Sequence, residues 1–440
     1  MYIVMTIKLI NMCIVMYIMK REQLEEFNPW WITKKVDPEL ALPFKRDIYP
    51  EIKKSIGRRF ILALVGLRRT GKTTMVYQLI SELIKDMINP ENILFFSFDD
   101  IAFDIDEVIE TYKEIHKKEF REEKVYIFMD EIQKCRNWEN KIKKYYDLYP
   151  KIKFVITGSE SLFIRKKTKE TLAGRILEYK LYPFNFAEYL RINNIKPEYG
   201  TRVKPYFLKY LERGGFPETF SMESEREFRE YIRSIVVDKI VYKDMPAIFG
   251  IDDPGFLILL MELIAKNPGM YIDYQSLSKQ YGKDRRVIKN YLNYLEESFL
   301  IRVLINYRRG TTNLRKRKRA YPSDNALIYL YNRKYDDALF GKLVETAIVN
   351  AVGSPFFWKN GNEVDIILDE IPIEVKYKGA IKNEDLKGVA EFLKKFKGRK
   401  GIVITKNADR EVKISRGRIK LIPALKWFMD GASGKGLKHG

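Results

Sequence analysis

The chain has 440 residues, 46% hydrophobic and 32% charged, enough to bury several cores and ordinary for globular domains. Its 80 Lys+Arg against 59 Asp+Glu leave a net charge of +21, which favours an anionic partner such as nucleic acid, although a Lys-rich surface also suits a heat-loving host. Two cysteines, Cys13 and Cys135, exclude a disulfide framework and fit a reducing cytoplasm; two histidines, His116 and His439, nearly exclude His-based zinc sites and His general bases. Chemistry is left to carboxylates, Lys, Arg, hydroxyls and bound metal.

The chain begins with "MYIVMTIKLINMCIVMYIM", residues 1–19, just long enough for a membrane anchor though interrupted by Lys8 and Asn11. It lacks the basic start and small-residue cleavage site of a signal peptide. Two readings stand: an anchor, or an over-extended start with Met16 or Met19 as initiator, which the sequence favours. Residues 1–45 are the expected N-terminal segment.

"RRFILALVGLRRTGKTTMVYQLISELIKDM" predicts strand, Gly-rich turn and amphipathic helix, and "GLRRTGKT", Gly66 to Thr73, satisfies G-x-x-x-x-G-K-S/T in full. Glycines let the backbone curl so that N–H groups face a phosphate at the positive end of the next helix. Lys72 is placed to reach the β- and γ-phosphates of ATP, and the Thr73 hydroxyl to ligate Mg²⁺. Gly66, Arg69, Thr70, Gly71, Lys72, Thr73 and Thr74 are the candidate cradle.

The apolar runs "NILFFSFDD", "KVYIFMDEI" and "KIKFVITGS", separated by helical stretches, predict a parallel sheet with crossover helices. "VYIFMDE" delivers Asp130 to a strand tip, where it can hold the Mg²⁺ shell, with Glu131 beside it to polarise the attacking water. Thr157 or Ser159, ending the "VITGS" strand, are candidate γ-phosphate sensors. The ATPase core is expected over 46–182.

Residues 183–250 become helical and aromatic. From 251 to 330 the chain predicts three helices, the last "DRRVIKNYLNYLEESF". Its apolar stripe is Ile288, Tyr291, Leu292, Leu295 and Phe299, and Arg285, Arg286, Lys289 and Asn293 point elsewhere. The strand "LIRVLINY" and the basic turn "RRGTTNLRKRKR" follow, making a winged helix-turn-helix plausible. Residues 271–330 hold 13 Lys+Arg and 5 Asp+Glu, a local +8 that favours DNA over a protein surface.

Residues 331–430 predict helix, hairpin, helix and strand, before a disordered tail at 431–440. In "GNEVDIILDEIPIEVKYKG" a turn centred on Asp369-Glu370 sets Leu368 opposite Ile371 and Asp365 opposite Glu374, with Lys376 on the face of Glu374. Facing carboxylates with a lysine alongside suit a metal site for cutting a phosphodiester. They equally suit the wet face of a half-buried hairpin.

"GLRRTGKTT", "FMDEIQ", "ITGSES", "LAGRILEYKLYPFNFAEYL" and "RGGFPE", in that order, resemble a family of archaeal and bacterial AAA-type P-loop ATPases over about residues 22–430. These are of the additional-strand, catalytic-glutamate class, similar to STAND-like archaeal ATPases. The resemblance implies an α/β fold in which a P-loop NTPase parallel sheet is followed by a helical lid (183–250), a winged helix (251–330) and a C-terminal α/β domain of PD-(D/E)xK nuclease type (331–430). It implies ATP and Mg²⁺ as cofactors, and Arg175 of "AGR", or else Arg68 or Arg69, near the γ-phosphate. It makes Glu345 the helix acid that joins Asp365, Glu374 and Lys376 in a nuclease site, with Asp365 and Glu374 as metal ligands. The expected function is that of an ATP-binding, ATP-hydrolysing AAA-type protein acting on DNA, with a metal-dependent nuclease-like C-terminal domain whose activity is left open. The alternative is an ATP-dependent regulatory switch that binds a protein partner and cuts nothing. A homo-oligomer is left open.

Overall fold

The computed structural model describes residues 21–99, 103–158, 170–196, 202–308, 317–333, 336–415 and 417–431. Residues 1–20, Ser159, most of the basic turn (309–316) and 432–440 lie outside the described residues. Among those described, no helix is long and apolar enough to cross a membrane. The chain divides into two units, Met1–Leu181 and Tyr182–Gly440.

The first unit is built on β1 (Ile61–Gly66), α1 (Lys72–Lys85), β2 (Ile93–Ser97), α2 (Ile105–His116), β3 (Val125–Asp130), α3 (Trp138–Leu148), β4 (Ile152–Gly158) and β5 (Ile176–Leu181). The strands form one parallel sheet in the order β2-β3-β4-β1-β5. β1, β3 and β4 are apolar almost throughout and buried at every position, as strands covered on both faces must be. β4 lies between β1 and β3. Every strand therefore points its C-terminal tip to one edge, which gathers the turn after β1, Asp130 and Thr157.

The second unit opens with α4 (Phe186–Ile192) and α5 (Lys204–Arg213). These helices, expected as a lid, bury Phe186, Tyr189, Phe207 and Leu211 in one core with Ile366, Ile373, Ile404 and Phe428 of the second unit. Next come α6 (Pro254–Lys266), β6 (Met270–Tyr271), α7 (Tyr274–Tyr281), α8 (Arg285–Glu297), β7 (Ile301–Asn306) and β8 (Lys318–Pro322). On α8, capped by Asp284, the predicted stripe turns inward: Ile288, Leu292 and Leu295 are buried, while Arg285, Arg286 and Lys289 are exposed.

The remainder is α9 (Asn325–Tyr331), α10 (Asp337–Val352), β9 (Phe356–Asn360), β10 (Asn362–Val364), β11 (Ile366–Leu368), β12 (Ile371–Lys376), α11 (Lys387–Phe396), β13 (Lys400–Thr405), β14 (Arg410–Ile414), β15 (Gly417–Pro423) and α12 (Ala424–Gly431). Two mixed sheets result, ordered β10-β9-β7-β8-β6 and β11-β12-β13-β15-β14. Leu368 pairs with Ile371 as the predicted register requires, and Asp369 (φ 48°) and Glu370 (φ 64°) form the left-handed turn. The run before that turn, expected as one strand, is two. Its first half pairs with β9 and its second with β12, and Asp365 stands at the joint between the sheets.

Candidate functional site: a phosphate cradle and a caged arginine

Between β1 and α1 the backbone reverses through Arg69 (φ 64°) and Gly71 (φ 89°), both left-handed. A Cβ on Gly71 would meet nothing within 4 Å, so glycine is there for its backbone. Gly66 is there for packing, because a Cβ would lie 2.1 Å from the Leu181 carbonyl oxygen. Thr70 is buried; its Oγ1 donates to Leu67 O (2.9 Å), and its own carbonyl accepts from Arg46 Nη1 (2.9 Å), which sequence reasoning did not single out. Thr74 is half-buried on the first turn of α1, and Arg69 is exposed.

Lys72 is buried and donates to Gly66 O (3.0 Å) and Leu67 O (2.9 Å), with its Nζ 4.0 Å from Glu131 Oε1. Thr73 Oγ1 donates to Asp130 Oδ2 at 3.0 Å. Thr157 donates to the other oxygen of Asp130 and accepts from the Glu131 backbone N–H at 3.1 Å. One hydroxyl therefore holds both the Asp130 carboxylate and the Glu131 main chain. Burial first, and the neighbouring Glu131 second, push the Asp130 carboxyl up to about 6, while Thr157, Lys72 and Thr73 oppose the shift. Glu131 is held at φ 52°, a left-handed backbone rare outside glycine and stored where geometry matters, and its carboxylate accepts from Gln133.

A hydroxyl on a carboxylate, a buried lysine and a curled glycine turn at the tip of a parallel sheet fit Mg²⁺ and a triphosphate. Arg175 does not join them. β5 runs parallel to β1 with Ile61 opposite Ile176, so the residue before β5 lies at the far end of the sheet from Gly66. Six residue steps make that about 20 Å. There Arg175 pairs with Asp147 at 3.0 Å, which corrects the expectation that it stands by the γ-phosphate in this chain. Arg68 reaches Asp99 at 3.5 Å on the cradle side. Accordingly, Arg175→Ala should leave ATP turnover per chain within about twofold of wild type, read by phosphate release.

The second unit assembles a different cluster. Glu345 on α10, Asp365 at the joint and Glu374 on β12 are each buried, so the hairpin face is not wet. Asp365 N donates to Glu374 Oε2 (3.2 Å), Val375 N to Asp365 Oδ2 (2.9 Å), and Lys376 pairs with Glu374. The four predicted residues are brought together, around a fifth that was counted as part of the basic turn. Arg319 on β8 is only 3% exposed. Its Nη1 meets Asp365 Oδ1 (3.1 Å) and Glu363 Oε1 (2.7 Å), its Nη2 Glu345 Oε1 (2.8 Å) and its Nε Gly269 O (2.8 Å).

The rings of Tyr321, Phe357 and Tyr271 surround the guanidinium at 5.1, 5.8 and 5.9 Å. Tyr321 also donates to Glu345 Oε1 at 2.7 Å. Burial works against the arginine's charge, but Tyr321, Asp365, Glu345 and Glu363 outweigh it and hold the guanidinium above its usual range. Burial, then Asp365, push Glu374 well above the carboxylate range. No local pattern marks the cage: Arg317, just before β8, is exposed, and β8 itself is buried without alternation from Arg319 to Pro322.

Residues 58–190 match the family model of an AAA domain. Residues 204–336 match a domain of unknown function, DUF8612, and residues 334–427 a second, DUF4143. An uncharacterized protein of Haemophilus influenzae is 28% identical over 276 residues, 61% of this chain and 68% of its own. Another from Methanocaldococcus jannaschii, MJ1637, is 25% identical over 427 residues, 86% of this chain and 88% of its own. Among solved structures, the Aeropyrum pernix Orc1 protein in complex with DNA aligns at 13% identity and a TM-score of 0.33, over 66% of this chain and 94% of that one. The AAA match falls on the unit whose strand order and turn were described above, and that unit has an AAA-type P-loop ATPase fold.

Proposed function

We propose that the protein binds and hydrolyses ATP in its first unit and acts on DNA through its second. The observation that carries the reading is the Thr73–Asp130–Thr157 chain, with Glu131 beside it at the tip of the parallel sheet. Lys72 would contact the β- and γ-phosphates, and the curled backbone of Gly66 to Thr73 would supply amide donors at the start of α1. Thr73 and Asp130 would hold Mg²⁺, which when bound neutralises charge on the phosphate oxygens. Glu131 takes the proton of the attacking water, while Thr157 holds the Asp130 carboxylate and the Glu131 main chain.

The order α6-β6-α7-α8-β7-β8 supports a winged helix at 251–330, in keeping with a core at 46–182, the helices of 183–250 and a PD-(D/E)xK-like fold at 331–430. Arg285 of α8 and Arg317 line one open cleft of about 510 Å³ with Tyr271 and Tyr274, and Arg286 and Lys289 are exposed on the same helix. Exposed cations beside aromatic rings suit a nucleic-acid backbone. A cytoplasmic location accompanies this reading.

The test is ATP hydrolysis with and without duplex and single-stranded DNA, beside DNA binding at rising salt. DNA-stimulated turnover, with affinity falling at least tenfold between about 50 and 200 mM salt, is expected. Turnover indifferent to DNA together with a flat salt profile would transfer the basic face to a protein partner, the regulatory-switch alternative. Whether the same protein also cuts DNA turns on the cage around Arg319.

A further inference from the structure

We infer that Arg319 stands where a metal-dependent nuclease would hold its cation, and that the C-terminal cluster is a structural strut which leaves bound DNA uncut. A PD-(D/E)xK centre needs its acids free to share a divalent ion, since like charges this close must be neutralised. Here the neutralising charges are the chain's own. Glu345 meets Arg319 and Lys342 (2.8 and 2.7 Å), Glu363 meets Arg319 and Lys359 (2.7 and 3.1 Å), Asp365 meets Arg319 (3.1 Å), and Glu374 meets Lys376. Among the described residues, no group of three or more His, Cys, Asp or Glu side chains is arranged to hold a metal ion. The acids do not fit the ion.

The space is built for a guanidinium. Gly269, at φ 82°, presents its carbonyl to Nε, and a Cβ on it would lie 2.6 Å from Arg319 Nη2. Tyr271, Tyr321 and Phe357 close the remaining sides. A planar fork spanning two carboxylates while packing against rings is a task for arginine, and a lysine cannot reproduce it.

The fork also has a mechanical consequence. It ties β8 to α10 and to the joint at Asp365, elements far apart in sequence. β8 begins one residue after Arg317, so the strut fixes the strand leading from a cation in the proposed DNA cleft. Arg319 is thus a positioning residue for the basic face.

The experiment uses the full chain without nucleotide and three readouts: Mn²⁺ titration by calorimetry, thermal denaturation, and incubation of supercoiled plasmid with Mg²⁺ or Mn²⁺. Wild type and Asp365→Asn are expected to give the same Mn²⁺ titration, and wild type to shift plasmid on a gel without nicking it. Asp365→Asn and Arg319→Lys should each lower the Tm, by roughly 10 °C for a broken buried pair, whether or not metal is present. A Mn²⁺ site in wild type that Asp365→Asn removes, or nicking that it abolishes, would overturn the inference. So would an unchanged Tm in both variants, and Asp365→Asn keeps that test open if Arg319→Lys fails to fold. ATP turnover in the same preparations reports on the first unit alone, so the ATPase proposal stands or falls separately.

Discussion

Replacing Glu131 by glutamine should cut ATP turnover at least about a hundredfold while leaving ATP bound, whereas Lys72→Ala should lose both binding and turnover. The two residues are 4.0 Å apart, yet their surroundings give them different work. Lys72 is buried with its ammonium held by the carbonyls of the turn, the side on which the proposed phosphates would bind. Removing it deletes a charge used in the ground state and the transition state alike, so binding falls with rate. Glutamine keeps the size and polarity of Glu131 but cannot take a proton. The left-handed backbone at Glu131 and the Thr157 contact to its N–H should hold the amide where the carboxylate was. The measurement is phosphate release beside retention of labelled ATP on the isolated protein. Wild-type turnover in Glu131→Gln would dismiss Glu131 as the base and leave Asp130, already raised by burial, as the acid to examine.

The cradle was legible because its information is local. Gly66 to Thr73 is one continuous run, and its glycines, lysine and hydroxyl act within a few residues of each other. Asp130 and Glu131 were legible for a related reason, since a strand of buried residues must end somewhere and the acids mark the tip. Arg175 was misplaced because sequence gives the residue but not the strand direction beside it. Only the parallel pairing of β5 with β1 puts the start of β5 opposite the cradle.

The hairpin register followed from the turn, but the division of its first strand between two sheets did not, because pairing partners are non-local. β14 and β15 were not read at all. "GRIKLIP" alternates cations with Ile and Leu and looks like a surface segment, yet it is an interior strand with Ile419 and Leu421 buried. Arg319 was hidden by composition. Seven cations in twelve residues read as one solvated turn, and nothing local says that the last of them turns inward to meet acids 26 to 46 residues later. Burial of a charge is a property of its partners, not of its neighbours in sequence.

The "RGGFPE" motif carries the second large effect, on stability: Gly214→Ala should cost at least about 4 kcal/mol, and Gly282→Ala only about 1 kcal/mol. Both glycines end helices at positive φ, but their surroundings differ. A Cβ on Gly282 meets nothing within 4 Å, leaving only the strain of a left-handed alanine. Gly214 sits at φ 74° and ψ −158°, a region open to glycine alone, and its Cβ would lie 1.7 Å from Asp324 Oδ1 and 2.7 Å from Ala326 N. That carboxylate cannot step aside, because it accepts from Gly215 N (3.1 Å) and Ala326 N (2.8 Å), capping α9 and anchoring the loop after α5.

Burial pushes Asp324 up to about 7 against those two backbone donors. A folded-state value above the unfolded one means that this group's contribution is complete below about pH 4 and is lost as pH rises towards 7. Asp324→Asn should therefore be less stable than wild type at low pH, one amide having lost its acceptor, and the gap should narrow as pH rises through that window. Urea denaturation of the four proteins at pH 4.5 and 8 separates these outcomes. Equal losses for Gly214→Ala and Gly282→Ala would show that the loop relaxes around the new methyl group. A gap between Asp324→Asn and wild type that does not change with pH would place the Asp324 carboxyl near its ordinary range, its two backbone donors outweighing burial.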